Sequence, residues 1–131
     1  MLLLAALALA TAPAAAPTRL TVKFAAPPEV HFNRRGDSTL TVMAGKAVHT
    51  ASFSGVPDPQ DPRNVYLSLK PMTLAISSTF GGTVILKARL FLCDAKNGIC
   101  TLEALEKQVR LRPGQKLEVV WKVGGENRLR F

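Results

Sequence analysis

The stretch Thr83-Val84-Ile85-Leu86-Lys87-Ala88-Arg89-Leu90-Phe91-Leu92-Cys93 decides the fold class of this chain. Leu86, Ala88, Leu90 and Leu92 fall on alternate positions, with Ile85, Lys87, Arg89 and Phe91 between them. That period of two lays the first set along one face of a β-strand and the second set along the other. By parity Cys93 belongs with Lys87 and Arg89, so its sulfur is expected to leave the strand on a partly polar, cationic side. Gly81-Gly82 just ahead reads as a hairpin or bulge signal, since no helix pattern follows that would make it a phosphate cradle.

Downstream, Asn97-Gly98 is a tight-turn dipeptide placed where the chain must reverse to bring Cys100 back beside Cys93. These are the only two cysteines in the chain. Opposed residues on neighbouring strands approach within the Cα range that a disulfide requires, so a bond there is geometrically easy. Closing so short a loop is worth roughly 2.5 kcal/mol in the chain-entropy model, a modest staple for a domain with its own apolar core. An edge-located bond of this kind is also open to a partner thiolate. Lys96 and Arg89 would favour the thiolate form after reduction, whereas Asp94 would oppose it.

The same alternation recurs elsewhere. Leu20, Val22 and Phe24 share a face of the segment from Arg19 to Phe24, and Thr39-Leu40-Thr41-Val42 repeats the pattern after the Arg34-Arg35-Gly36-Asp37 turn. Val65-Tyr66-Leu67-Ser68-Leu69 and Met72-Thr73-Leu74-Ala75-Ile76 are separated by Pro71, which cannot donate to a ladder and suits an edge or a bend. Leu117, Val119, Trp121 and Val123 point one way near the end, and Leu129 with Phe131 is expected to close a final strand. One segment competes: Leu102-Glu103-Ala104-Leu105-Glu106-Lys107-Gln108-Val109 is rich in helix formers, with Glu103 and Lys107 at i,i+4, and predicts a loose or helical start before an extended Val109-Arg110-Leu111. The whole is expected to be all-β, an immunoglobulin-like antiparallel β-sandwich of about eight strands.

Leu2 to Ala10 is an apolar run of h-region length, and Ala14-Ala15-Ala16 before Pro17 offers a small-residue cleavage site. A signal peptide is therefore expected over residues 1–16, too short to span a bilayer, which takes roughly 20 apolar residues. Residues 17–131 then form a single domain, not itself membrane-spanning, in a periplasmic or otherwise extracytoplasmic location. In such an oxidising compartment the two thiols are expected to pair. The 17 Lys and Arg against 9 Asp and Glu give a formal net charge of +8. The basic residues are spread rather than clustered, which reads as a solvated cationic surface and not as a nucleic-acid site.

Other chemistries find no support in the pattern. Blue copper needs a His and usually a Met shortly after its Cys, and none follows here. His31 and His49 are too far from each other and from the cysteines in sequence to suggest zinc, and read as ordinary strand residues. There is no G-x-S-x-G, and Ser54-Gly55 and Ser77-Ser78 read as turn residues. Trp121, at a core-parity position, reads as packing. No cofactor is expected.

The run Leu90-Phe91-Leu92-Cys93-Asp94-Ala95-Lys96-Asn97-Gly98-Ile99-Cys100, followed by Val109-Arg110-Leu111, resembles the periplasmic N-terminal domain of the thiol:disulfide interchange reductase DsbD. The resemblance implies an immunoglobulin-like domain that takes electrons from a thioredoxin-fold protein or membrane thiol reductase and passes them to exported disulfide-bearing substrates. It implies that Cys100 forms the mixed disulfide and that Cys93 is the resolving sulfur. Two departures stand out. The family pattern usually has one residue fewer between the cysteines, and it has an aromatic-bearing cap loop. The corresponding stretch here, from Gly55 to Asn64, has no aromatic residue, leaving Tyr66 and Phe80 as those positioned to approach. Its Asp58 and Asp61 loosely match the acidic cap residues.

Three readings follow from the sequence. In the first, Cys93 and Cys100 are the catalytic pair of a thiol:disulfide oxidoreductase-like domain. In the second, the chain is a secreted β-sandwich binding or scaffold protein and the bond is structural. In the third, basic exposed strands make it an envelope adaptor.

Overall fold

The computed structural model describes residues 17–124; the segment read as a signal peptide and the strand expected at Leu129 and Phe131 lie outside the described residues. Ten strands follow one another: β1 (Thr18–Ala25), β2 (Val30–Asn33), β3 (Thr39–Ala44), β4 (Ala47–Ser52), β5 (Gly55–Pro57), β6 (Val65–Leu69), β7 (Met72–Ile76), β8 (Gly82–Asp94), β9 (Cys100–Leu111) and β10 (Lys116–Lys122). No helix occurs among the described residues. The all-β expectation holds, and three strands among the described residues, β2, β4 and β5, are ones the pattern did not mark. They are short or exposed: β2 has four residues and β5 three, and five of the six residues of β4 are exposed.

The strands form a three-stranded sheet in the order β10-β1-β7 and a seven-stranded sheet built around β8. β1 runs parallel to β10, from Arg19↔Lys116 to Ala25↔Lys122, the one departure from an antiparallel arrangement among the described pairs. Pro71 marks the crossing from β6 in the large sheet to β7 in the small one. Lacking an N–H, it suits a bend where pairing stops.

β9 follows one edge of β8 along its whole length, from Gly82↔Leu111 to Cys93↔Cys100. The opposite edge is shared end to end. β3 pairs with residues 84–89 and β2 with residues 92–94. Between them, the Ser38 hydroxyl accepts the Phe91 N–H at 3.1 Å, replacing the missing ladder bond. Gly36 lies against the Phe91 side chain so closely that a Cβ there would collide with it.

The pleat of β8 divides as its alternation predicts. Leu86, Leu90 and Leu92 are fully buried, while Lys87 and Arg89 are exposed on the other face. Burying a leucine contributes about 1.5–3 kcal/mol, so these residues commit the inner face of the large sheet to the core. Phe24 of β1 stacks on Trp121 of β10 at 5.8 Å and meets Phe53, which follows β4, edge-on at 4.9 Å. Trp121 is therefore a packing residue, as its parity suggested.

The segment expected to start as a helix, Leu102 to Val109, is strand throughout. Its i,i+4 pair would add only about 0.2–0.5 kcal/mol to a helix, whereas the strand joins a ladder running the length of β8. The pleat buries Thr101, Glu103 and Leu111 and turns Leu102 outward. Buried Glu103 accepts the Gly124 N–H through Oε2 at 3.3 Å, fixing the end of the described chain beside β9.

Candidate functional site

Cys93 and Cys100 are joined by a disulfide, with sulfurs 2.04 Å apart and Cα atoms 4.0 Å apart. The bond falls on this pair because of ladder phase. The Asp94 N–H donates to the Ile99 carbonyl at 2.8 Å, which makes residues 94 and 99 a hydrogen-bonded pair. The next pair, Cys93↔Cys100, is then of the close, non-hydrogen-bonded kind, in which side chains face each other directly.

The hairpin tip is organised by Asp94. One carboxylate oxygen accepts the backbone N–H of Lys96 at 2.8 Å and of Asn97 at 3.4 Å, and the other accepts the Asn97 side-chain amide at 3.4 Å. The Asp94 carbonyl accepts the Gly98 N–H at 2.8 Å. Gly98 closes the turn with φ of 68°, in the left-handed region that glycine enters without a Cβ penalty. The expected Asn-Gly reversal is therefore present, as part of a four-residue loop. Engaged with the loop amides, the Asp94 carboxylate is committed to shaping the turn as well as placing negative charge beside it.

Every residue from Ala95 to Cys100 is exposed, whereas Cys93 is half-buried. Leu102, at 36% exposure, shares the outer face with Cys100 and gives the bond an apolar rim. Phe91 lies in register with Leu102 on the same outer face.

On its other edge Cys93 is in register with His31 of β2. Val30 and Phe32 point into the core, so alternation turns His31 to the outer face that carries Cys93. Cys100, Cys93 and His31 therefore form one row across β9, β8 and β2. Asp58, just after β5, stands beside His31, with Oδ2 3.9 Å from Nδ1. Both side chains are mostly shielded, at 22% and 15% exposure.

The remaining candidates are dispersed. Asp61 braces its own loop, accepting the Asn64 side-chain amide at 2.9 Å. Tyr66 pairs with Phe32, one row away from the disulfide, and its ring lies 5.2 Å beneath the Arg34 guanidinium. Phe80 packs near Gly45 and Gly82, at the opposite end of β8. Neither aromatic approaches as a cap. His49, opposite Val42, lines a recess of about 410 Å³ between β4 and β7, away from the disulfide. No three metal-ligating side chains come together among the described residues. Arg89 is on the outer face of β8, two outward positions from Cys93, and Lys96 is in the exposed loop.

No known protein family matches this chain, and no curated protein does. The site must be read from its own geometry. It offers a disulfide with one solvent-facing half, an apolar rim, and a His–Asp pair beside the more sheltered sulfur. His31 was the member that sequence reasoning missed. The signal was its place between inward-facing Val30 and Phe32, but β2 is short and its pairing with β8 is remote in sequence.

Proposed function

We propose that this protein is an extracytoplasmic thiol–disulfide exchange domain that relays electrons through Cys93 and Cys100. The observation that carries the reading is the asymmetric exposure of the bond: Cys100 is open to solvent at a hairpin tip while Cys93 is half-buried. Exchange needs in-line access of a thiolate to one sulfur, and here that sulfur belongs to Cys100.

In the loading step a donor thiolate attacks Cys100 Sγ and the Cys93 thiolate departs. The donor's second thiolate then attacks the donor's own sulfur in the mixed disulfide and releases Cys100. The donor is oxidised by two electrons and the Cys93/Cys100 pair is reduced by two. Delivery runs the same chemistry backwards on an exported disulfide, with Cys93 resolving the mixed disulfide at Cys100. A thioredoxin-fold protein or membrane thiol reductase suits the donor role because it presents a vicinal dithiol. The apolar rim of Leu102 and its register partner Phe91 supplies a surface for such a partner to cover. An all-β architecture of two sheets and the cysteine hairpin suit the reading that the sequence resemblance implies, and the net charge of +8 suits an exported domain working near anionic surfaces.

The test is a trap. A Cys93→Ser chain, incubated with an extracytoplasmic extract, is expected to hold a thioredoxin-fold partner as a mixed disulfide through Cys100. A Cys100 that captures nothing while the wild-type bond resists reduction below about −300 mV would assign the disulfide to structure alone. That second reading, a sandwich scaffold with a structural staple, is favoured by the position of the bond at the very end of the β8–β9 ladder, where it pins the hairpin.

A further inference from the structure

We infer that His31, beside Asp58, is the proton-exchanging partner of Cys93; this rests on the exchange reading above. The two residues are in register on neighbouring strands and point to the same outer face, so their side chains are direct cross-strand neighbours. Asp58 Oδ2 lies 3.9 Å from Nδ1, an ion-pair separation rather than a hydrogen bond, which places a carboxylate beside the ring with Nε2 outside that contact. The row Cys100, Cys93, His31, Asp58 thus runs from the exposed sulfur through the sheltered one to an imidazole and a carboxylate.

The sheltered sulfur is the one that needs such a partner. When a donor thiolate attacks Cys100, the S–S bond breaks and its electron pair stays on Cys93. A proton from the His31 imidazolium then converts the Cys93 thiolate to a thiol and leaves neutral imidazole. When Cys93 must resolve a mixed disulfide at Cys100, the imidazole takes that proton back. The regenerated thiolate attacks Cys100 Sγ, and the partner sulfur departs with its electron pair. One proton moves out and one returns, and no further oxidant or reductant is involved. Histidine is suited to this because its neutral and charged forms interconvert under physiological conditions.

Charged groups near His31 come from the neighbouring segments: Asp58 after β5, Glu29 before β2, Asp94 at the end of β8 and Lys96 in the hairpin loop. All are retained in the decisive comparison, which isolates the imidazole. In a Cys100→Ser background Cys93 is a lone thiol, and its ionisation is followed by thiolate absorbance against pH. His31→Gln is expected to raise the midpoint of that titration, because a cation or donor beside the thiolate is lost. Asp58→Asn is expected to move it in the same direction by less.

In the otherwise wild-type reduced chain, oxidised glutathione serves as the exchange probe and quenched samples are weighed by mass spectrometry. His31→Gln is expected to let the glutathione adduct at Cys100 accumulate, with resolution slowed at least about tenfold, a small part of what positioned acid–base groups supply. Formation of the adduct is expected to be unchanged. An unshifted Cys93 titration together with unslowed resolution overturns the role of His31 and leaves the exchange reading standing. A wild-type chain that forms no adduct overturns the exchange reading itself, and the two failures are distinguished because the titration needs no partner. Unchanged thermal unfolding of His31→Gln excludes a fold defect.

Discussion

The proposed exchange role requires the domain to stay folded when its disulfide is open, and the structure sets how much stability is at stake. The bond joins residues with a sequence separation of 7, for which chain entropy gives roughly 2.5 kcal/mol. Opening it leaves the ladder from Gly82↔Leu111 to Leu92↔Thr101 in place, together with the Asp94-centred loop. The core beneath contains neither sulfur. Domain stabilities run to about 5–15 kcal/mol, so the reduced form is expected to remain native. Urea denaturation followed by the fluorescence of Trp121, the single tryptophan and 8% exposed, reads global unfolding. Cys93→Ala/Cys100→Ala and the dithiothreitol-reduced wild type are both expected to lose about 1–2 M in urea midpoint with an unchanged slope. A loss beyond about 4 kcal/mol exceeds what closing so short a loop can supply, and would show that the sandwich depends on its staple. The same holds for a markedly smaller slope, which would mean that the reduced folded state no longer buries the native surface. Either result would refute the argument that the bond is free to act as a reagent.

Three further outcomes test the frame that holds the site. Leu90→Ala, at a fully buried position beneath the outer-face row, is expected to cost about 2–5 kcal/mol in urea denaturation, whereas a cost below about 1 kcal/mol would mean that the inner face of β8 is not the core. Ser38→Ala deprives the Phe91 N–H of its acceptor and is expected to cost about 1–3 kcal/mol; faster amide exchange at Phe91 is the specific sign, and unaltered protection there would show that the hydroxyl does not bridge β2 and β3. At Gly98, nothing lies within 4 Å of where a Cβ would stand, so Gly98→Ala carries only the backbone cost of φ 68°, about 1–2 kcal/mol, and a calorimetric loss much above that would place an unseen contact at the tip.

Much of the sandwich is legible in local pattern because its longest buried strand obeys a strict period of two. The faces of β8 follow from Leu86, Ala88, Leu90 and Leu92 alone, and the bounds of β6 and β7 match the segments flanking Pro71. The reading fails where local preference and tertiary pairing disagree. Helix formers from Leu102 to Val109 give way to a ladder with β8, since pairing satisfies the backbone groups along one edge of a twelve-residue strand while an isolated helix of that length is marginal. β4, with five of its six residues exposed, offers no alternation at all.

The candidate site divides along the same line. Two cysteines, a parity that turns Cys93 outward and an Asn-Gly reversal are local facts, so the sequence by itself determined that a disulfide could form at a hairpin tip on the outer face. Only the tertiary structure decided which half of it is exposed, that Tyr66 and Phe80 leave it uncapped, and that His31 and Asp58 stand beside Cys93. Those neighbours come from β2 and the end of β5, and strand pairing between segments so distant along the chain is fixed by the packing of both sheets on a common core, which no short-range pattern encodes.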